Sequence, residues 1–359
     1  MTATDSTDHD AAINTTTTTN NKEVRPASPL PEMPLLPITS PDTIQACRNL
    51  TVTDRDIFVC SYPKSGTTWI QNLVVRLLAA YVNMELPLDW HLSHSAPFYE
   101  VNQYWDAQGG RVPAKTPIQK SGSSSGSSSN GKNDTYRVFN THLRPHQLPP
   151  NAKCVYVMRD GMDVLVSFYH HLVHMNESDG GYTGSPEDFC KDFLNGTIAY
   201  GLWEDHIEAW LKETSTARTS SNNGGSILLL HYHEMRQNLK KEATRLSKFL
   251  GVADTDMERV LAAALPSCTF DAMKQERWRY TPQSVSWKAD PQTGQPYDKF
   301  VRTGQVGDGK MFLRDVFTPT LFEKWTDNQE RAQRRWQDAG VDPAIIDLYL
   351  QLKYSSSPF

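Results

Sequence analysis

No stretch of the sequence is apolar for long enough to cross a bilayer. The N-terminus lacks the basic-then-apolar order of a secretory signal, and Asp5, Asp8 and Asp10 make it too acidic for an organelle transit peptide. Cysteine is scarce, with five residues (Cys47, Cys60, Cys154, Cys190, Cys268) that are odd in number and scattered. Without a Cys-x-x-Cys or a Cys/His ligand spacing, neither a disulfide framework nor a structural zinc site is expected. Cys60 and Cys154 fall in apolar runs and read as buried free thiols in a reducing compartment. Charge of one sign is scarce as well: 36 Lys and Arg stand against 41 Asp and Glu, a net of −5. That balance argues against general affinity for nucleic acid or anionic membrane, while leaving room for a local basic pocket. The absences together predict a cytoplasmic protein with no nucleic-acid or membrane partner.

What is present falls into three kinds of segment. Residues 1–45, rich in Thr, Asn, Pro and Asp, have too little apolar surface to offset the entropy of ordering and are expected to be a disordered tail. The tract SGSSSGSSSNGKN (121–133) reads as a flexible Gly/Ser insertion, and the polar stretch 214–226 as a second surface loop. The remainder, 46–353, reads as one α/β domain. DIFVCSYPKSGTTWIQNLVVRLLAAYV, KCVYVMRDGMDVLVSFYHHL and SILLLHYHEMRQNLKKEATRLSKFLGV each read strand, turn, helix, the last ending at Gly251 as a C-cap. Short apolar strands alternating with helices imply a central parallel sheet covered on both faces. Between the units, Ser185 and Pro186 open a helix, and Trp203, Ile207 and Trp210 mark the buried face of another.

Ligands of such sheets sit at the carboxyl ends of the strands. The first end carries Tyr62-Pro63-Lys64-Ser65-Gly66-Thr67-Thr68-Trp69. A Walker A loop places glycine before and beside its lysine; here the lysine comes early and a single glycine follows. Backbone N–H groups at the start of a helix still make an anion site, to which Lys64 adds charge and Ser65, Thr67 and Thr68 add hydroxyls. The loop is therefore P-loop-like and suited to phosphate.

Tyr62–Trp69, Arg159 with Ser167 eight residues on, and Arg302-Thr303-Gly304 followed by Gly307-Asp308 together resemble the cytosolic sulfotransferases, in order from about residue 50 to about 315. The resemblance implies a sulfonate donor, 3′-phosphoadenosine 5′-phosphosulfate (PAPS), and a small hydroxylated or amine acceptor. It implies that Ser65, Gly66, Thr67 and Thr68 cradle the 5′-phosphate and that Lys64 stabilises the bridging oxygen. Arg159, Ser167 and the loop Arg302, Thr303, Gly304 would hold the 3′-phosphate, with Trp69, Tyr232 and Phe270 around the adenine. His142, in Thr141-His142-Leu143 after the apolar run 136–139, would be the general base. No metal is implied.

The pattern also departs from the family. Asn140 stands where many animal members have lysine, Thr303 where lysine is common, and Gly309 where a tryptophan follows Gly-Asp. The animal dimer signature is not evident after Lys310, so a homodimer is not carried over. Two other readings compete: a P-loop kinase or NTPase, with Asp160 as magnesium ligand, and a nucleotide-binding protein whose chemistry has lapsed. His170, His171 and His174 have helical spacing for a metal, yet no carboxylate or cysteine completes a set; His171 falls near the expected acceptor pocket. Phe98, Tyr99, Tyr104 and Trp105 read equally as core or as an aromatic wall for a lipophilic phenol, sterol or other alcohol. Residues 323–336 read as a solvated helix face.

Overall fold

The computed structural model describes residues 32–120, 135–219 and 226–347, interrupted at 291–292, 296, 298–299, 302–303, 305–306 and 308. Among the described residues five strands form one sheet: β1 (Asp56–Ser61), β2 (Ile118–Gln119), β3 (Thr135–Thr141), β4 (Lys153–Met158) and β5 (Ile227–His231), in the order β2-β3-β1-β4-β5. β1 lies at the centre, parallel to β3 on one side and to β4 on the other, and β5 continues parallel beyond β4. The centre of the sheet is parallel, as expected, and one edge makes it mixed, where β2 runs antiparallel to β3. β2 and β3 are consecutive strands in the chain, and neighbouring strands joined directly can pair antiparallel.

Side-chain alternation puts a separate core on each face. Ile57 and Val59 face one way with Val138, Val155, Val157 and Leu230, against Ile70, Leu73, Val74 and Leu77 of the helix Thr67–Tyr81. Phe58 and Cys60 face the other way with Phe139, Cys154 and Tyr156, against the helices Gly161–Leu172 and Trp203–Thr219. All six residues of β1 are buried, which is why its carboxyl end can hold a loop rigidly. The expected caps are present: the Ser185 side chain accepts from the Asp188 N–H, and Gly251 (φ 89°) ends the helix Leu239–Leu250.

Three boundaries differ from the sequence reading. The tail does not reach residue 45: Met33 and Leu36 are buried, and a helix runs Pro41–Asn49. Its Ser40 cap and Pro41 repeat the Ser185-Pro186 signature, but a handful of apolar anchors is diluted by the polar composition around them. Pro34 and Ile38 tie the segment down by accepting from the Tyr200 and Asn102 N–H groups at 2.6 and 3.0 Å. The polar stretch from 214 is helical to Thr219, because a helix nucleated on buried Trp203, Ile207 and Trp210 propagates cheaply past its apolar face. The helix Pro319–Asp338 is not only solvated: Leu321, Trp325, Ala332 and Trp336 are buried, and Arg335 bonds Glu208 at 2.8 Å and also Asp205. The Gly/Ser insertion 121–133 and the C-terminus from 348 lie outside the described residues.

Candidate active site

The strand ends place one cavity over the carboxyl edge of the sheet. At the end of β1 the chain turns through Lys64 (φ 68°) and Gly66 (φ 104°) into the helix that starts at Thr67. A lysine in the left-handed region is strained by roughly 1–3 kcal/mol and persists only where its surroundings hold it. Arg159, at the end of β4, supplies part of that hold by donating to the Lys64 carbonyl at 3.3 Å. The glycine is required twice over: a side chain there would be strained by the φ, and its Cβ would lie 2.7 Å from the Tyr232 ring.

Lys64, Gly66, Thr67, Thr68, Trp69 and Arg159 line one half of the cavity, with Ser167, Tyr232, Phe270 and Gly304. Ser65 is buried beneath them, its N–H bonded to the Tyr62 carbonyl. The aromatic group is held by its own bonds: Trp69 Nε1 donates to the Cys268 carbonyl (2.7 Å), Tyr232 Oη to the Gly304 carbonyl (3.2 Å), and the Trp69 and Tyr232 rings meet edge-on at 5.6 Å. Arg159 lies 4.5 Å over the Tyr232 ring and pairs with Asp163, whose carboxylate also accepts from the Gly307 N–H at 3.0 Å. Asp163, in the first turn of the helix Gly161–Leu172, thus ties the late loop to Arg159. Gly304 packs so closely that a Cβ would lie 2.2 Å from Phe270. Arg302, Thr303 and Asp308 lie outside the described residues.

The other half is built of side chains from many segments. His142 sits beyond the end of β3, between Phe98 and Tyr200, each 5.3 Å away edge-on. Its Nδ1 lies 2.8 Å from the Ser61 carbonyl, which can only accept; Nδ1 therefore carries the proton and Nε2 presents a lone pair. Burial, then the charge of Lys64, pull its pKa down to about 4, so the ring is neutral at pH 7. Its backbone is pinned from both sides. Its N–H donates to Glu100 Oε1 at 2.8 Å, and its carbonyl accepts from His206 Nε2 at 2.9 Å. His206 Nδ1 in turn accepts from Tyr156 Oη at 2.9 Å. Glu100 is fully buried, and burial pushes its pKa up to about 7.

Sequence reasoning missed several lining residues. Arg236 lines the cavity and lies over the Phe270 ring at 5.7 Å; one helical turn beyond Tyr232, it carried a readable signal. Leu36, Tyr200 and Val285 also line it, with no motif to reveal them. The aromatic cluster divides: Tyr99 and Trp105 belong to the core, and Phe98 to the cavity. The three histidines of the Gly161–Leu172 region diverge, with His170 against Phe312, His171 in the cavity and His174 stacked on Tyr297 at 3.9 Å. Asp160, the magnesium ligand of a kinase reading, spends its carboxylate capping its own helix through the Asp163 N–H.

Residues 54–336 match the family model described as a sulfotransferase domain. Human sulfotransferase 1C2 is 29% identical over 262 residues, 71% of this chain and 76% of its own length. Rabbit amine sulfotransferase is 28% identical, with 72% and 75% covered. Among solved structures, mouse sulfotransferase SULT7A1 complexed with PAP superposes with TM-score 0.54 and 21% identity over 83% of this chain and 91% of that one. A retinol dehydratase bound to androsterone and PAP gives 0.52 and 20%, over 83% and 85%. The chain belongs to the sulfotransferase family.

Proposed function

We propose that this enzyme passes a sulfonate from PAPS to a hydroxyl or amine of a small, lipophilic acceptor, such as a phenol, sterol or other alcohol, by in-line displacement. The observation that carries the reading is one junction. Lys64 and the lone pair of His142 face the same cavity, between a half made of backbone, cations and aromatic rings and a half made mostly of apolar walls. The donor half suits a bisphosphorylated nucleotide, because glycines at 66 and 304 let the chain close on the rings of Tyr232 and Phe270, leaving no room for a side chain, with Arg159 beside the Tyr232 ring. Two fold neighbours were solved with PAP, which supports the same choice of donor.

PAPS, when bound, supplies an activated sulfonate. Ser65, Gly66, Thr67 and Thr68 would offer N–H and hydroxyl donors to its 5′-phosphate at the helix start, with Trp69 closing on the base. Arg159, Ser167 and the Arg302, Thr303, Gly304 loop would hold the 3′-phosphate. Lys64 would stabilise the charge that develops on the leaving oxygen. His142 would take the acceptor's proton at Nε2, with Nδ1–H locked on Ser61 so that the lone pair points one way. Asn140 lines the cavity beside them and can offer only a neutral amide, so Lys64 carries most of the cationic role. Five cysteines, all free and buried, suit a cytoplasmic enzyme.

The test is a thermal titration followed by an acceptor screen. The 3′,5′-bisphosphate nucleotide at about a hundred times its Kd should stabilise the fold by about 2.7 kcal/mol, and ADP or ATP with magnesium should not. Labelled PAPS should then transfer to phenols or sterols. Stabilisation by ATP with magnesium alone would overturn the reading.

A further inference from the structure

One imidazole in the cavity has no part in the scheme above. His171 lies one turn beyond Ser167 on the helix Gly161–Leu172 and lines the same cavity as His142. Its neighbours are aromatic, with Trp287 and Phe300 ring centroids at 5.2 and 5.7 Å. Lys64 Nζ approaches its Nδ1 at 3.4 Å while lying 3.9 Å over the Phe300 ring. An ammonium has no lone pair, so it can only donate; Nδ1 is the acceptor, and the proton of the neutral ring sits on Nε2. Burial and the charge of Lys64 hold His171 in that neutral form.

The two cavity imidazoles are therefore opposite tautomers. His142 keeps its proton on Nδ1 for Ser61 and offers a lone pair. His171 keeps its lone pair for Lys64 and offers an N–H. Among the described residues no protein acceptor engages that Nε2–H. A donor left in a wall with Phe168, Leu172, Met175 and Phe300 needs a lone pair from whatever fills the cavity.

We propose that His171 selects the acceptor, donating from Nε2 to a second oxygen that the acceptor carries besides the hydroxyl that meets His142. The favoured class is an oxygenated phenol, such as an aryl ether or ketone, rather than a phenol with only hydrocarbon substituents. The inference rests on the reading that this half of the cavity takes the acceptor.

The test compares isosteric pairs, 2-methoxyphenol with 2-ethylphenol and 4-methoxyphenol with 4-ethylphenol, binding to the bisphosphate-loaded enzyme by calorimetry. Wild type should favour the methoxy member of at least one pair by roughly five- to tenfold, the worth of one neutral hydrogen bond. His171→Phe should lose the preference, and His171→Gln, which keeps an N–H donor, should retain part of it. Bisphosphate binding shows that each variant is folded, and His171→Leu replaces His171→Phe if the latter is not. Equal affinities in wild type, including no binding of either member, or a preference that survives in His171→Phe, overturns the inference. Transfer of label to phenols without any preference would sink the inference and leave the proposed function standing. Neither binding nor transfer with any phenol would remove the acceptor reading as well.

Discussion

The half of the cavity proposed for the donor is made mainly of backbone, glycines and cations from the ends of three neighbouring parallel strands. The acceptor half is made of side chains from segments as far apart as Leu36, Phe98, Tyr200, Val285 and Phe300. In the first, Lys64 and Gly66 must adopt positive φ, Gly304 must lie against Phe270, and Arg159 must reach a loop carbonyl. Each demand fixes a residue type at a fixed spacing. In the second, any side chain of suitable size and polarity can line the wall, so composition can drift while shape is kept. A half built on backbone should therefore be intolerant of small changes, and a half built on side chains should be retunable.

The sharpest way to break that contrast is to remove the two groups at the junction. His142→Ala should lower kcat by roughly a hundred- to ten-thousandfold and leave bisphosphate affinity nearly unchanged. Lys64→Ala should cost roughly a hundredfold or more in kcat and weaken bisphosphate binding too, because Lys64 belongs to both halves. Single-turnover rates and calorimetry on the two variants check this. A bisphosphate affinity that collapses in His142→Ala would show that the halves are not separable.

The same contrast explains what the sequence made legible. Tyr62–Trp69 could be read because a strand, an early lysine and one glycine leave little freedom, and β1 carries them at the centre of the sheet as expected. Arg159 and Ser167 could be read because strand end and helix fix their separation. Leu36 could not, since it sits in a segment whose composition is that of a disordered tail, a segment held where the Pro34 carbonyl accepts from the Tyr200 N–H and Leu36 lies against Gly180. Nor could the division of Phe98 from Tyr99, because period-two alternation separates cavity from core only once the strand beside them is placed. The antiparallel β2, two residues long, was below what periodicity can detect.

A milder perturbation reaches the donor half alone. At Gly304 (φ 62°) an added methyl would be strained by the backbone and would meet Phe270 at 2.2 Å, so the ring or the loop must give way. Gly304→Ala should raise the bisphosphate Kd by roughly five- to 150-fold, in line with a strain of 1–3 kcal/mol. The affinity of phenols for enzyme already saturated with bisphosphate should change little. An equal loss at both sites would mean that the late loop also shapes the acceptor wall, as the presence of Phe300 and Val301 in the lining leaves room for.

Acid should separate the halves more gently still. His91, His142 and His231 have pKa values of about 4 and His206 of about 3, all lowered mainly by burial from 6.5. Between 6.5 and 4 the unfolded chain therefore binds more protons at these sites than the folded one, and stability falls as pH falls through that window. Glu100 and Glu204 work in the opposite sense: burial raises both to about 7, so the folded state holds their protons between 4.5 and 7 and gains on acidification. His94, His146 and His171 are lowered as well and Asp205 is raised, so seven histidines outweigh three carboxyls and the melting temperature should decline from pH 6.5 towards 4.5. His142, His206 and Glu100 are joined around the proposed base by the bonds at the His142 N–H and carbonyl, whereas His231 caps the helix that carries Tyr232. Acceptor binding and turnover should therefore weaken with acid before bisphosphate affinity does, with the acid limb of kcat/KM nearer 4 than 6.5. If bisphosphate affinity instead fell in step with kcat/KM, protonation near His231 would be governing both, and the separation of backbone-built from side-chain-built halves would fail.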